Sequence, residues 1–489
     1  MFKENIEGSE LNLNEPADLT PEKIPHKFWY RTKDNKLKID LKKYIGFLES
    51  LGFAKYIQDK NLIFIQISDN IVEEVSIPCM KDYVIDTIRN FDSELLDDVT
   101  TYRLECAILA ENRRLFAQGN LEFLTTRTPE FLKDTKYEAF FPFRNGLVCV
   151  TAERIKVMPY KDVSFYLWKS QLIERDFSET DEISDFEVFI KHAMDDSPER
   201  IESLRSALGY SLHRHKDPAN PRAVIFIDGR ISDGSSGRSG KSLVANALGK
   251  LRKMVILDGR SFNAGKNFSF QRVKSDTNLV LFDDCRKNFP MDSMFSILTE
   301  GWAIEEKNKP EYYIKYEDAP KPVLTTNSLI GGYDDSSIAR QFIVEFGSHY
   351  NAKYTPMDDF GKTFFTEWDE KEWNKFDNYM LKSVQLFLAK GLVPYQYQNL
   401  EYKRIVETTS REFLEYIECT DNFAFNTEYD KKIIHGDFRK AFPDHEKLSQ
   451  RTFTLWMKAY ADIKGYKFEE RRSGNDRYVS IVKNEELPF

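Results

Sequence analysis

Thiol chemistry is nearly missing from this 489-residue chain: its five cysteines (Cys79, Cys106, Cys149, Cys285 and Cys419) are odd in number and never closer than 27 residues. That spacing excludes a C-x-x-C metal knuckle and a disulfide framework, and predicts reduced thiols in a cytoplasm-like compartment. Histidine is scarce as well. Among seven, the one close pair is His213 and His215, whose spacing of two sets them on different faces of a helix, so no zinc site is expected. No apolar run approaches the ~18 to 20 residues of a membrane span. The first residues, MFKENIEGSELNLNEPADLT, are acidic and polar where a leader would be basic and then apolar. The expectation is a protein neither exported nor anchored. A basic excess is also lacking: 70 Lys plus Arg against 79 Asp plus Glu leave −9, which argues against a dedicated nucleic-acid coat protein. That value is an average and is silent about local patches.

Hydrophobic residues at 41% and charged residues at 30% describe a globular chain, excluding a disordered or collagen-like one. At roughly 150 residues per domain the length suggests about three domains. No internal repeat or low-complexity tract marks boundaries, so changes of pattern must do so. Residues 1–24 read as a flexible tail. Residues 25–178 read as an α+β domain with hairpins in NLIFIQISDNIVEEVSI and RNGLVCVTAERIKVMPY. Its dense aromatics, among them Phe28, Trp29, Tyr30, Phe140, Phe141 and Phe143, are expected in a core rather than on a base-stacking surface. Residues 179–216 read as a helix pair broken near Ser197-Pro198. From 217 to 393 the alternation of strand, loop, helix and strand predicts a parallel α/β sheet with a helical tail. Residues 394–405 read as a linker, and 406–489 as short helices followed by two strands.

The strongest motif is AVIFIDGRISDGSSGRSGKSLVANALGKL, a β-branched strand, a loop of small residues, and Gly240-Lys241-Ser242 opening a helix. Holding a polyphosphate takes inward-facing backbone N–H groups, which calls for glycine conformations, together with the positive end of a helix. The expected cradle is Gly234, Ser235, Ser236, Gly237, Arg238, Ser239, Gly240, Lys241 and Ser242, with Lys241 on the outer phosphates and Ser242 on magnesium. About forty residues on, Asn278-Leu279-Val280-Leu281-Phe282-Asp283-Asp284 is an apolar strand ending in two acids. Asp283 and Asp284 are expected at the metal, Asp284 also orienting or deprotonating the attacking water. Lys321-Pro322-Val323-Leu324-Thr325-Thr326-Asn327 is another buried strand, whose Asn327 could sense the γ phosphate. Arg340, just before QFIVEF, suits insertion into a neighbouring subunit's site.

Phosphate loop, Asp-Asp strand, Thr-Thr-Asn strand and arginine, in this order over about 110 residues, resemble the superfamily 3 helicases of viruses, phages and plasmids. Within these the chain is similar to the poxvirus-type primase-helicase family, with Leu208-Gly209-Tyr210-Ser211-Leu212-His213 and Phe295-Ser296-Ile297-Leu298-Thr299-Glu300-Gly301 as supporting matches. The resemblance covers roughly 180 to 390. Ser235 stands where the first loop glycine is usual, and Gln341 where a second arginine is common. It implies an AAA+ P-loop core using ATP and Mg2+, assembled as a hexameric ring that travels on single-stranded DNA. ATP and magnesium contacts would fall on Gly240, Lys241, Ser242, Asp283 and Asp284, the sensor on Asn327, and the finger acting in trans on Arg340.

In such helicases a hairpin between the acidic strand and the sensor grips DNA in the channel, which here is AIEEKNKPEYYIKYEDAPK with Lys307 and Lys309 at its tip. A second basic stretch, 449 to 480, has seven basic residues against four acidic ones, including Arg451, Lys458, Arg471 and Arg472. Its helix followed by two strands fits a winged helix binding DNA, and equally a small packing domain with solvated charges. A primase site needs strand-borne paired carboxylates. Asp97-Asp98 has helical surroundings and reads as a solvated face, so priming would fall to a separate primase. The expected activity is that of an ATP-driven helicase of a phage, plasmid or integrated element, acting on single-stranded and forked DNA in a bacterial cytoplasm with no membrane partner. The alternative is an ATP-dependent replication initiator or switch that does not unwind. A small-molecule P-loop kinase is disfavoured by the Thr-Thr-Asn strand and the late Arg340.

Overall fold

A computed structural model describes residues 27–58, 61–91, 96, 99–229, 238–307, 310–330, 335–395, 400–474 and 476–483. The expected tail 1–24, Asp97, Asp98, Gly234, Ser235, Ser236, Gly237 and Lys309 lie outside the described residues. The fold is mixed α/β around a five-stranded parallel sheet.

The amino-terminal part has its own core, in which Phe28 and Trp29 pack with Tyr44, Phe47, Leu104 and Leu115. The expected hairpin is present as Asn61–Ser68 paired with Ile71–Glu74, with Asp69 at φ 52° in the turn. A three-stranded antiparallel sheet over 139–158 packs on both faces: Phe141, Phe143, Val148 and Val150 share a core with the helices of the next region, while Phe140, Leu147 and Met158 pack with Ile71, Leu132 and Leu167 of the amino-terminal part. Phe28, Trp29, Phe141 and Phe143 therefore do pack inside, whereas Phe140 is half-buried and Tyr30 exposed.

Helices α1 (Asp185–Ala193) and α2 (Pro198–Leu212) follow. Each has a serine cap, Ser184 accepting from the Glu187 N–H and Ser197 from the Arg200 N–H, and Pro198 occupies the first turn, where its missing N–H costs nothing. The sheet consists of β1 (Ala223–Asp228), β2 (Met254–Asp258), β3 (Leu279–Cys285), β4 (Lys321–Thr326) and β5 (Gln341–Phe346), in the order β2-β3-β4-β1-β5. Every residue of β1 and β4 is buried, as a parallel sheet covered on both faces requires. Alternate side chains go to opposite faces: Val224, Phe226 and Val323 pack under α1 and α2, while Ile225, Phe282 and Leu324 pack with Trp302 and Tyr312. The first face is closed by helix α5 (Glu370–Lys390), which lies along α2.

The carboxy-terminal module begins with α6 (Leu400–Thr408) and has its own core of Phe413, Phe438, Phe453, Tyr460 and Ile481. Its longest helix, α7 (Gln450–Lys464), is capped by Ser449 and leads into the antiparallel pair Lys467–Ser473 and Asp476–Val482. Among the described residues no helix is long and apolar enough to cross a membrane.

Candidate functional site

The carboxyl edge of the sheet opens into a cavity of about 580 Å³, within the range of small-molecule sites. It is lined by Arg238 to Leu243, Asp283, Asp284, Thr325 to Asn327, and a wall from the segment after β5. The phosphate-loop residues that are described, both strand acids and the sensor candidate thus meet in one place, although they come from two strands, a loop and a helix.

Helix α3 (Lys241–Leu248) starts at Gly240, whose φ of 95° lies in the left-handed region and whose missing Cβ leaves room for the Phe189 ring; an added Cβ would sit 2.7 Å from it. No side chain caps this helix, whose first residues line the cavity, and an uncapped helix start is a ready anion-binding position. Lys241 is 7% exposed and its ammonium lies 2.5 Å from Asp228 Oδ1, with a further bond of 3.1 Å to Ser239 Oγ. Burial pushes Lys241 below the ordinary lysine range, and Asp228, Asp284 and Asp283 oppose that shift. Asp228 Oδ2 has no hydrogen-bond partner among the described residues, and the ion pair with Lys241 compensates the charge of this buried carboxylate.

Ser242 Oγ donates to Asp283 Oδ1 at 3.2 Å, close to the ~2.9 Å between adjacent oxygens of an octahedral magnesium site. Thr325 Oγ1 donates to the same oxygen at 2.6 Å and accepts from the Asp284 N–H at 2.7 Å. The strand irregularity between Phe282 and Cys285 explains why two successive acids both reach the cavity: Asp284 takes φ 57°, turning its carboxylate out of the pleat. Arg260 forms an ion pair with Asp284 Oδ2. This donor set, serine hydroxyl with carboxylates beside a lysine and a helix start, fits a magnesium-bound polyphosphate.

Arg340 is not at this cavity. The Ala223 N–H donates to its carbonyl at 2.8 Å, which fixes Arg340 at the amino end of β1 and β5, a six-residue strand of about 20 Å from the loop. Its guanidinium lies 4.8 Å from the Phe295 ring centre. The hairpin Trp302–Ile304 with Tyr312–Ile314 is formed as expected. Lys307 is exposed at its end, beside Glu305, Glu306 and Glu311, and Glu306 is paired with Lys274. In the carboxy-terminal module Arg451, Lys458, Arg471 and Arg472 are all exposed. Arg451, Leu455 and Lys458 share one face of α7, whereas Arg471 is held by Glu428 through two hydrogen bonds of 2.8 and 2.7 Å.

Three participants were not expected from sequence. Asp228 and Thr325 lie inside motifs already recognised, at strand ends where polar residues interrupt apolar runs. Lys403, on α6, carried no such signal. It is 5% exposed and donates to the carbonyls of Asp228 (2.6 Å) and Asn327 (3.2 Å), bridging the ends of β1 and β4 from behind the cavity. Glu407, one turn on, accepts from the Leu329 N–H at 3.0 Å, so α6 braces the floor of the site.

No family model matches the chain, and no curated protein matches it in sequence. Solved structures similar to it include the A-form apo structure of the NrS-1 C-terminal region, at 10% identity and a TM-score of 0.40, over 90% of this chain and 99% of that one. A second apo structure of the same region is similar at 10% identity and 0.40, over 90% and 98%.

Proposed function

We propose that the protein hydrolyses ATP and uses the cycle to move DNA, as a superfamily 3 helicase with an AAA+ core of a phage, plasmid or integrated element. The observation that carries this reading is the convergence of Lys241, Ser242, Asp283, Asp284 and Asn327 on one cavity at the carboxyl edge of a parallel sheet. Lys241 leaves Asp228 for the outer phosphates, and the N–H groups of α3 hold the inner ones. Ser242 and Asp283 would hold magnesium, which when bound neutralises charge developing on the phosphates. Asp284, released from Arg260, orients the attacking water, and Asn327 reads whether the last phosphate is present.

The distance of Arg340 from its own cavity supports a site completed by a neighbouring subunit, hence a ring. Arg451 and Lys458 on the outer face of α7, followed by the antiparallel pair, support a winged helix in contact with DNA. In a mixing test, Lys241→Ala and Arg340→Ala proteins are each inactive in ATP hydrolysis, and the mixture regains activity because some interfaces pair two intact halves. Activity of a strictly monomeric preparation at high dilution refutes the shared site. One observation favours a second reading: three carboxylates, Glu305, Glu306 and Glu311, flank the hairpin lysines in sequence. Such a tip suits an initiator or switch that binds DNA through its carboxy-terminal module without threading it. Strand displacement on a forked substrate separates the two, since a switch shows DNA-stimulated hydrolysis and no displacement.

A further inference from the structure

Behind the wall of the cavity, the end of α1, the turn after β5 and the short helix α4 (Pro356–Phe360) bring together His192, His349 and Asp359. These residues lie 157 and 10 positions apart in the chain, and one ligand atom from each falls within 4.8 Å of the others. His192 Nδ1 is 2.8 Å from Asp359 Oδ2, His349 Nε2 is 3.7 Å from the same oxygen, and the two imidazole centres are 4.6 Å apart. His349 Nε2 is buried and has no hydrogen-bond partner among the described residues. A nitrogen in that position, facing a carboxylate at a distance too long for a hydrogen bond, is unexplained by the protein alone.

The three groups are held in place by what surrounds them. Asp195 accepts from the N–H groups of Ser348 (2.8 Å) and His349 (3.3 Å), and Gly347 sits so close that a Cβ there would meet the Asp195 carboxylate at 2.3 Å. The Asp359 carboxylate receives the hydroxyls of Tyr350 (2.7 Å) and Tyr354 (2.8 Å), the outer partners that orient a ligating carboxylate. The side chains of His192 and His349 remain about one-third exposed, at 29% and 34%, so the cluster lies near the surface although His349 Nε2 itself is covered.

We propose that His192 Nδ1, His349 Nε2 and the Asp359 carboxylate bind one divalent transition metal ion of the zinc class. Two imidazoles and a carboxylate are the donors that such ions take, whereas magnesium and calcium select oxygen. In an occupied tetrahedral site adjacent ligand atoms are about 3.3 Å apart, so the widest separation contracts by no more than about 1.5 Å. Bound through Nδ1, His192 carries its N–H on Nε2. Thr355, Pro356 and Met357, just ahead of Asp359, line the cavity, so the ion pins the cavity wall to α1. This site is independent of the helicase reading and stands or falls separately.

The test uses the full-length chain stripped with a chelator and then given Zn2+ or Co2+ alone. Equilibrium dialysis with elemental analysis is expected to find one Zn2+ per chain at micromolar free metal, with affinity falling at least tenfold in His349→Gln and in Asp359→Asn. The Co2+ form is expected to absorb as a four- or five-coordinate nitrogen and oxygen site without a thiolate charge-transfer band. In the unmutated protein, Zn2+ is expected to slow amide exchange over residues 347–360, a readout that needs no variant to fold. Failure to retain the ion, a thiolate band, or equal retention by folded His349→Gln overturns the proposal.

Discussion

Two buried lysines stand at opposite edges of the same sheet, and they differ in what faces them. Lys241, at the carboxyl edge, is paired with the Asp228 carboxylate and opens on a cavity. Lys321, at the amino edge, is 3% exposed and donates to the carbonyls of Tyr210 (2.9 Å) and His213 (2.5 Å), with its ammonium 4.0 Å from the Tyr210 ring centre. Burial pushes both below the usual lysine range; three acids oppose this for Lys241, while for Lys321 Asp134 opposes it and Lys216 and Arg252 reinforce it. A perturbed lysine therefore marks a site only where its partner can be exchanged for a ligand and there is room for that ligand. Lys321 has neither and ties β4 to the end of α2.

Substituting methionine at each position breaks the comparison most severely. Lys241→Met is expected to lower ATP hydrolysis at least about a hundredfold and, by leaving the buried Asp228 carboxylate without its cation, to lower the melting temperature as well. Lys321→Met is expected to lower stability alone. Leaving two carbonyls without a donor costs about 2 to 4 kcal/mol, visible as a lower melting temperature, while hydrolysis per folded molecule stays within about twofold. A Lys321→Met protein of unchanged stability would remove the structural role assigned to that edge.

The next effect also belongs to the amino edge. His213 is 2% exposed and bonds through Nε2 to the Thr135 carbonyl at 2.7 Å. Burial pushes its pKa down to about 4 from 6.5, with Asp134 opposing and Lys321 and His215 adding to the shift. Between pH 6.5 and 4 the unfolded chain takes up a proton that the folded protein refuses, so stability falls as pH falls through this window, by about 3 kcal/mol in all. In His213→Gln the acid-induced loss of melting temperature is expected to be shallower. Identical pH profiles for the two proteins would show that His213 is free to charge in the fold.

Much of the carboxyl edge was legible in the sequence because its chemistry is local. Gly240, Lys241 and Ser242 follow one another, and Asp283-Asp284 ends an apolar strand, so a strand-loop-helix pattern suffices to bring them together. The parallel sheet followed from the same alternation. What could not be read is whatever depends on pairing between distant segments. Lys403 reaches the site from 161 residues beyond Ser242, and the His192, His349 and Asp359 cluster joins segments that precede and follow the whole sheet in sequence, whereas the conspicuous pair His213 and His215 became a buried hydrogen bond and its neighbour. The core reading of the aromatics held for Phe28, Trp29, Phe141 and Phe143 because their density exceeded what a surface could carry.

The smallest effect expected sits between two adjacent threonines on β4. Thr325 donates its hydroxyl proton to Asp283 and accepts from the backbone of Asp284, so it fixes both acids; Thr326 bonds to the carbonyls of Cys285 and Ser328 and touches neither carboxylate. Valine keeps the shape of each side chain and removes only the hydroxyl. Thr325→Val leaves Asp283 with Ser242 as its remaining hydroxyl partner, and its carboxylate becomes free to turn. The expected result is a rise in the magnesium concentration needed for half-maximal hydrolysis and a fall in kcat of about tenfold, equivalent to about 1.4 kcal/mol. Thr326→Val is expected to lower stability and leave the magnesium dependence unchanged, since it loosens the backbone behind the site and not the acids in it. If the two variants respond alike to magnesium, Thr325 acts through the backbone, and the carboxyl edge is held together in the same way as the amino edge.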